Sequence, residues 1–277
     1  MFKGFYTVGS GMIAQQRRTE LLSNNLANAK TPGFKEDQAS IRSFPEMLLS
    51  RLERTNLPIE KGFQQKTLSR IGDVGTGVYM QETLPSFATG SLLQTNLSTD
   101  VALHDHYFAE DPETGKKGAI FFRIAHPEGG EYYTRNGSFT IDQDGYLTAA
   151  NGDYVLDEDG HQIYLVATDF TIDTDGRVLQ NDVEVGKLGV AYASDPEALT
   201  KQGDGFFVDT TDQMQNADDV AFLSYQTQQG YLESSNVDEG RTMTDMMAAY
   251  RAFEANSKVL QAYDRSMEKA VELGRVQ

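Results

Sequence analysis

The chain has 277 residues, of which 39% are hydrophobic and 23% are charged, so its length and composition suit a globular protein and exclude wholesale disorder. It has no cysteine and four histidines, which excludes disulfide scaffolds, thiolate zinc sites and cysteine nucleophiles. Its net charge of −17 argues against a nucleic-acid partner, whose phosphates require cationic side chains.

The charge is distributed unevenly along the chain. Residues 1–70 carry 11 basic and 6 acidic side chains, whereas residues 71–225 carry 7 and 27. The amino terminus lacks the continuous apolar run of a signal peptide, and no stretch approaches the ~18 apolar residues that a membrane helix needs. We therefore expect no Sec-type secretion and no stable membrane insertion.

Residues 1–36 predict an amphipathic helix. In a heptad counted from Phe5 most core positions are apolar, and the sequence Thr31-Pro32-Gly33 stops the pattern, because proline disfavours helix in the residue before it. The apolar stripe predicted for this helix includes Phe5, Met12, Leu22 and Leu26.

Residues 37–70 are predicted to connect this helix to the centre of the chain. The segment SFPEMLLSRLE suggests a short helix from Phe44 to Glu53, and the polar run TNLPIEKGFQQKT after it suggests a linker. The glycines of IGDVGTGV precede a strand-like run instead of a helix, so they predict a flexible loop or bulge and not a phosphate-binding loop.

Residues 71–228 predict an antiparallel β-rich domain, because short apolar or alternating runs are separated by turn residues. The runs are AIFFRIAH, EYYTRNGSFTI, GYLTAANGDYVL, HQIYLVAT, RVLQNDVEV, LGVAYA and GFFVDT. Asn136-Gly137 and Asn151-Gly152 predict hairpins with type I′ turns, since asparagine and glycine tolerate positive φ best.

Three Asp-x-Asp-Gly segments, at 142–145, 157–160 and 173–176, resemble parts of calcium-binding loops. Aligned on their glycines, they lack both the acidic first ligand and the glutamate at position 12, so we interpret them as hairpin turns. His104 and His106 flank Asp105, but the sequence offers no further ligand, so we expect solvated loop histidines, no metal site and no cofactor.

Catalytic patterns are weak. Ser10 lacks the G-x-S-x-G arrangement of a serine hydrolase, and acidic turn tips account for the many central carboxylates without any chemistry. A pair of glycosidase carboxylates is defined by its separation in space, so a secreted carbohydrate-binding or hydrolytic β domain stays open as an alternative class.

Residues 229–277 predict a long helix. No proline or glycine occurs between Arg241 and Leu273, and Asn236 or Asp238 is a suitable N-cap, so the helix should have about 35 residues and a length of about 50 Å. Such a long stripe favours burial between neighbouring molecules over burial on the chain's own body. The predicted stripe includes Met243, Met246, Tyr250, Phe253, Leu260, Met267 and Val271.

Together the patterns predict an α+β fold. The helix of residues 1–36 and the helix of residues 229–277 are expected to pair as a coiled-coil-like layer, forming one discontinuous helical domain. The connector, 37–70, and the antiparallel β-rich domain, 71–228, would then be inserted between them.

Both ends of the chain resemble one known family. GSGMIAQQRRTELLSNNLANAKTPGFK is similar to the amino-terminal signature of bacterial flagellar rod and hook proteins, and QGYLESSNVDEGRTMTDMMAAYRAFEANSKVLQAYDRSMEKAV is similar to their closing helix. The central segments FATGSLLQTNLSTDVAL and YTRNGSFTIDQDGYLTAANGDYVL also resemble the family, whereas LHDHYFAED departs from its glycine-rich turn. The amino-terminal motif positions are Asn24, Asn25, Asn28, Thr31, Pro32, Gly33 and Phe34.

The resemblance implies a structural, non-enzymatic component of the flagellar basal-body rod. Such a protein would be exported by the flagellar type III apparatus and polymerised through its terminal helices to transmit torque for motility. The implied partners are copies of itself, other rod and hook proteins and the export machinery, and the implied location is the basal body, outside the cytoplasm after export. A hook-type flagellar subunit is the alternative within the family.

Overall fold

A computed structural model describes residues 2–56, 64–107, 117–126, 129–166, 169–203, 205–220 and 223–275. The chain forms two compact units. The terminal unit comprises residues 1–24, 38–84 and 240–277, and the central unit comprises residues 25–37 and 85–239. Within the described ranges, no helix is both long and apolar enough to cross a membrane.

A helix lies at each end of the chain, as predicted. Helix α1 is Phe2–Ala27 and ends before the Thr31-Pro32-Gly33 stop, whereas helix α2 is Glu239–Arg275. Helix α2 has 37 residues, which at 1.5 Å per residue gives a length of about 55 Å. The prediction of one unbroken carboxyl-terminal helix is confirmed.

The two helices meet at two glycines of α1. The Tyr263 ring occupies the space that a Cβ atom on Gly4 would need, and Asn256 Nδ2 lies 3.2 Å from the position of a Cβ atom on Gly11. The two contacts are seven residues apart on each helix, and their order along α2 is the reverse of their order along α1. The helices are therefore antiparallel where they meet, and glycine permits their close approach.

The rest of the terminal unit is built mainly from β-strands. Strand β1 (Asp37–Ser43) pairs with β4 (Val78–Pro85), and β2 (Met47–Asn56) pairs antiparallel with β3 (Gln64–Val74). The predicted helix from Phe44 to Glu53 is wrong, because most of this segment lies in β2. Its leucines and charged residues favour helix weakly, and the ladder to β3 overrides that preference.

The glycine-rich loop between β3 and β4 docks on α1. Val78 donates its backbone N–H to Ser10 Oγ at 3.3 Å, and Thr7 Oγ1 donates to the Thr76 carbonyl at 3.4 Å. Gly77 has a φ of 134°, and a Cβ atom there would overlap the Ser10 side chain. Of the segment predicted as a loop or bulge, residues 75–77 form a loop and Gly72 lies in β3, and Gly77 is required by close approach to a helix. Of the predicted linker, residues 55–56 and 64–67 lie in strands β2 and β3, so that part of the prediction is wrong, and residues 57–63 lie outside the described residues.

The main sheet of the central unit is antiparallel, with strand order β15-β16-β8-β7-β14-β17. Its strands are β7 (Ala119–Ala125), β8 (Glu131–Thr134), β14 (Val190–Ala193), β15 (Thr200–Gln202), β16 (Phe206–Val208) and β17 (Met214–Asn216). Strand β7 is buried on both faces: Phe122 packs in one apolar cluster and Phe121 in the other. The alternation of side chains along a strand places these neighbours on opposite sides.

Shorter strands complete the central unit, in small antiparallel pairings β19-β5, β18-β6, β9-β10 and β11-β12-β13. These strands are β5 (Leu92–Gln94), β6 (Val101–Tyr107), β9 (Thr140–Ile141), β10 (Leu147–Thr148), β11 (Thr171–Ile172), β12 (Arg177–Gln180), β13 (Val183–Lys187), β18 (Ser224–Gln229) and β19 (Tyr231–Glu233). The predicted antiparallel, β-rich middle is confirmed, and the chain is an α+β protein.

The turns agree with the sequence only in part. The Asp-x-Asp-Gly segments are hairpin turns as predicted, since Gly145, Gly160 and Gly176 donate to the carbonyls three residues before them. The type I′ turns predicted at Asn136 and Asn151 are wrong, because neither asparagine has positive φ. Two consecutive positive φ values occur instead at Asn181 and Asp182, in the turn that joins β12 to β13, and at Gly129 and Gly130, between β7 and β8.

The His104-Asp105-His106 segment lies in strand β6, so the prediction of loop histidines is wrong. Gln226 is the register partner of His104 in β18, and Tyr225 is that of Asp105. His104 is exposed, whereas Asp105 is largely buried. The ladder to a strand about 120 residues later could not be inferred from the local sequence.

Candidate functional site

The amino-terminal motif begins with asparagines that close the end of α1. Asn25 is fully buried, and its side chain donates to the Asp37 carbonyl at 2.9 Å and accepts from the Asp37 N–H at 3.1 Å. Asn28 Oδ1 accepts from Thr31 Oγ1 at 3.2 Å, whereas Asn24 is exposed. The pair of bonds at Asn25 joins the end of α1 to the start of β1, so the chain from 25 to 37 forms a closed loop.

Gly33 and Phe34 bring this loop against the rest of the central unit, and Pro32 beside them is half-buried. Gly33 has a φ of 69°, and a Cβ atom there would overlap the Arg135 backbone. Phe34 is 5% exposed, and Lys201 Nζ lies 4.2 Å from its ring centroid. Glycine is therefore required at position 33 both by its backbone angle and by close packing.

A network of four charged side chains lies in the central unit. Lys35 Nζ donates to Glu233 Oε1 at 2.8 Å, Arg135 Nε donates to Glu233 Oε2 at 2.5 Å, and Arg135 Nη2 donates to Asp105 Oδ2 at 2.8 Å. The side chains of Lys35, Arg135 and Glu233 are at most 4% exposed, and that of Asp105 is 12% exposed. We call these four residues the charge network.

Backbone groups satisfy most of the remaining bonding capacity of the network. Lys35 Nζ also donates to the Ala88 carbonyl at 2.9 Å, and Glu233 Oε1 also accepts from the Gly90 N–H at 2.8 Å. Arg135 Nη1 donates to the Ile120 carbonyl at 2.8 Å. These extra bonds matter because buried charges are stable only when they are paired and hydrogen-bonded.

Burial and charge pairing shift the pKa values in the network in different directions. Burial lowers the pKa of Lys35 and raises the pKa of Asp105, in each case against the pull of the opposite charges nearby. Burial would also raise the pKa of Glu233, but Arg135 and Lys35 outweigh it, and the result is a lowered pKa. Glu233 is therefore held as a carboxylate between two cations.

Asn236 extends the same contact region with neutral hydrogen bonds. Its Oδ1 accepts from the Glu36 N–H at 2.7 Å, its Nδ2 donates to the Ser86 carbonyl at 2.8 Å, and its backbone N–H donates to the Phe34 carbonyl at 3.4 Å. Gly33 donates its N–H to the Glu233 carbonyl at 2.8 Å. The segment after α1 and the segment before α2 are thus bonded directly to each other.

The sequence reasoning missed Lys35, Arg135, Glu233 and Asn236 as site residues. Lys35 and Glu233 are 198 residues apart, and Arg135 and Glu233 are 98 apart, so no local periodicity links them. One signal was available, because these residues stand inside the three segments ANAKTPGFK, YTRNG and GYLESSNV that carry the family resemblance.

The predicted helix stripe is only partly covered within the single chain. In α1, Leu22 is buried, and Phe5, Met12 and Leu26 are half-buried. In α2 four stripe residues are half-buried: Met246, Phe253, Leu260 and Met267. The other three are exposed: Met243 at 51%, Tyr250 at 58% and Val271 at 62%.

A groove with a volume of about 470 Å³ lies between the two helices in the terminal unit. Tyr250 and Phe253 line it from α2, and its other lining residues are Gln16, Thr19, Glu20 and Ser23 of α1. The apolar stripe of α2 therefore faces polar side chains of α1 at this level, and the chain's own helix does not fill the space between them.

One group of potential metal ligands occurs within the described residues. Oxygen and nitrogen atoms of Asp157, Asp159 and His161 lie within 4.8 Å of one another at a hairpin turn. The side chain of His161 is 78% exposed, and Asp157 Oδ1 already accepts the His161 N–H at 2.7 Å. The cluster is accounted for by turn formation.

Three family models match the chain. "Flagella basal body rod protein" matches residues 5–35, "Flagellar hook protein FlgE/F/G D1 domain" matches residues 117–180, and "Flagellar basal body rod FlgEFG protein C-terminal" matches residues 228–273. The first and third include Lys35 and Glu233, and the second includes Arg135. The matches thus cover three of the four residues in the charge network.

Relatives align over essentially the whole chain. It is 42% identical over 278 residues to the flagellar hook-basal body complex protein FlhO of Bacillus subtilis, with all of both chains covered. It is 30% identical to the flagellar basal-body rod protein FlgG of Borreliella burgdorferi, with 99% of this chain and 100% of the relative covered. It is 29% identical to the flagellar basal-body rod protein FlgF of Caulobacter vibrioides, with both chains fully covered.

Proposed function

Because the chain belongs to the family of flagellar basal-body rod and hook-basal body proteins, we propose that it polymerises through its terminal helices into the axial rod. It is a structural, non-enzymatic component, and it is located in the basal body of the bacterial flagellum. Family membership also supports assembly with other rod and hook components.

The observation that carries the polymerisation proposal is the uncovered apolar face of α2. Met243, Tyr250 and Val271 lie on the predicted stripe and are more than half exposed. Met247, Val259 and Leu273 of the same helix are also exposed, so large apolar side chains meet solvent along most of a helix about 55 Å long. Copies of the same chain would bury these side chains by stacking helix against helix.

We propose further that α1 and α2 form the coiled-coil-like layer of this assembly. Support comes from the contacts of Gly4 and Gly11 with α2, which repeat after seven residues as the positions of a heptad do. The predicted limits of the domains, 1–36, 37–70, 71–228 and 229–277, stay a prediction.

Export and mechanical load complete the proposal. A rod subunit of this family would leave the cell through the flagellar type III apparatus, and the helical layer would transmit torque towards the hook. A head-to-tail interface whose rotation does not close generates the helical array that such a rod requires.

A charge placed on the stripe tests the role of α2. Tyr250→Asp and Leu260→Asp should abolish polymerisation, because desolvating an unpaired carboxylate between helices costs at least several kcal/mol. Gln261→Asp is the matched control, since it adds the same charge at an exposed polar position of the same helix. Assembly of the purified chains is measured by sedimentation velocity and electron microscopy.

The control must assemble as the unchanged protein does. Circular dichroism of each variant below its assembly concentration shows whether the central unit stays folded. Filaments of normal length and number from folded Tyr250→Asp protein would contradict the proposal.

A further inference from the structure

The charge network takes its members from both ends of the chain and from the middle. Lys35 follows α1, Glu233 precedes α2, and Arg135 and Asp105 belong to the β-rich part of the central unit. Glu233 is the only one of the four that bonds to both Lys35 and Arg135 in the described structure. The amino-terminal segment and the β-rich part therefore share one acceptor, and that acceptor belongs to the carboxyl-terminal segment.

Charge burial makes the two segments depend on each other. Without the segment that carries Glu233, the ammonium of Lys35 and the guanidinium of Arg135 would lose a carboxylate that lies 1% exposed. Without the segment that carries Lys35, Glu233 would lose one of its two cations. A buried charge without its partner is strongly unfavourable, so either segment docks poorly when the other is absent.

Neutral hydrogen bonds connect the same two segments. Gly33 donates to the Glu233 carbonyl at 2.8 Å, and Asn236 Oδ1 accepts from the Glu36 N–H at 2.7 Å. Residues 33–36 and 233–236 are thus joined by hydrogen bonds as well as by the ion pair.

We propose that the Lys35–Glu233–Arg135–Asp105 network is a two-ended latch, through which the segment after α1 and the segment before α2 dock on the central unit together and release together. The segment after α1 and the segment before α2 are then both ordered in the single molecule, before any neighbouring copy binds.

Hydrogen exchange of the full-length monomer, read by mass spectrometry on peptides covering 31–37 and 231–238, tests the latch. Lys35→Met changes only the amino-terminal segment, and it should accelerate exchange in both peptides by about 100-fold, because local opening exposes both segments at once. Glu131→Gln is the control, because it breaks the Arg123–Glu131 pair in the same unit but touches neither segment.

The reciprocal variant changes only the carboxyl-terminal segment. Asn236→Ala removes the bonds to Glu36 and Ser86 without altering any charge, and it should accelerate exchange in both peptides by about tenfold. If Lys35→Met prevents the central unit from folding, Asn236→Ala decides the question. Faster exchange confined to the mutated segment in either folded variant, with the other segment unchanged, overturns the latch.

Discussion

Replacing Glu233 by glutamine should destabilise the central unit strongly. The carboxylate accepts hydrogen bonds from Lys35 Nζ at 2.8 Å, from Arg135 Nε at 2.5 Å and from the Gly90 N–H at 2.8 Å. Glutamine keeps the size of the side chain, but it removes the negative charge and turns an acceptor into a donor that faces other donors. Both cations would then be left without their shared partner.

The expected loss follows from the burial of the partners. Lys35 and Arg135 are 4% and 2% exposed, so solvent screens neither charge. Breaking a buried ion pair by removing one partner costs about 3–5 kcal/mol. Since whole domains are stable by only about 5–15 kcal/mol, this single change should remove a large part of the stability.

Urea unfolding of the monomer, followed by circular dichroism, measures the free energy of unfolding of each variant. Glu131→Gln provides the control, because the Arg123–Glu131 pair lies in the same unit but its side chains are 15% and 26% exposed, so removing its carboxylate should cost less than removing that of Glu233. A loss below about 1 kcal/mol for Glu233→Gln, equal to that of the control, would refute the reasoning.

The same comparison has a definite pH dependence. Because Arg135 and Lys35 hold the pKa of Glu233 below its ordinary value of 4.5 in the folded state, its carboxylate contributes full stability above that value. That contribution is lost as the pH falls through the lowered pKa. The stability difference between the unchanged protein and Glu233→Gln should therefore be largest near neutral pH and shrink in acid.

Three further changes test other parts of the structure. Gly33→Ala should destabilise the central unit by about 1–3 kcal/mol in urea unfolding, because a φ of 69° is strained for alanine and the Cβ atom would overlap the Arg135 backbone. The control Gly9→Ala has open space around it in α1 and should stabilise that helix by about 0.5–1 kcal/mol. Equal effects of the two changes would contradict the prediction. Burial raises the pKa of Asp105, so the folded state binds this proton more tightly than the unfolded state and the unchanged protein should gain stability from it as the pH falls. Asp105→Asn should lack this gain. Superimposable curves of stability against pH for the two proteins would contradict the prediction. Gly4→Leu should separate the helices where Tyr263 packs, so tyrosine fluorescence and helix exchange should both change, whereas unchanged values would show that the helices do not meet there.

Much of the fold follows from local patterns in the sequence. The apolar periodicity of α2 and the lack of proline or glycine from Arg241 to Leu273 predicted a single long helix, because helix depends mainly on contacts within a few residues. The short apolar run AIFFRIAH predicted strand β7, and the Asp-x-Asp-Gly segments predicted their turns, for the same reason. The family followed from the segments at the two ends.

Local patterns failed where pairing with a distant segment decides the conformation. A helix was predicted from Phe44 to Glu53, but residues 47–53 lie in strand β2, because β3 offers them a ladder of backbone hydrogen bonds. Asp105 was predicted to lie in a loop, yet it lies in a strand and faces Arg135. The choice between helix, loop and strand in these places depends on a partner that the local sequence does not contain.

The sequence by itself determined the two terminal helices, the β-rich middle and the family, because each is written in periodicity or in a contiguous motif. Only the tertiary structure decided that Lys35 and Glu233, 198 residues apart, share a buried ion pair, and that Arg135 completes it. The physical reason is that an ion pair depends on distance and dielectric environment in three dimensions, and neither quantity is encoded in the spacing of residues along the chain.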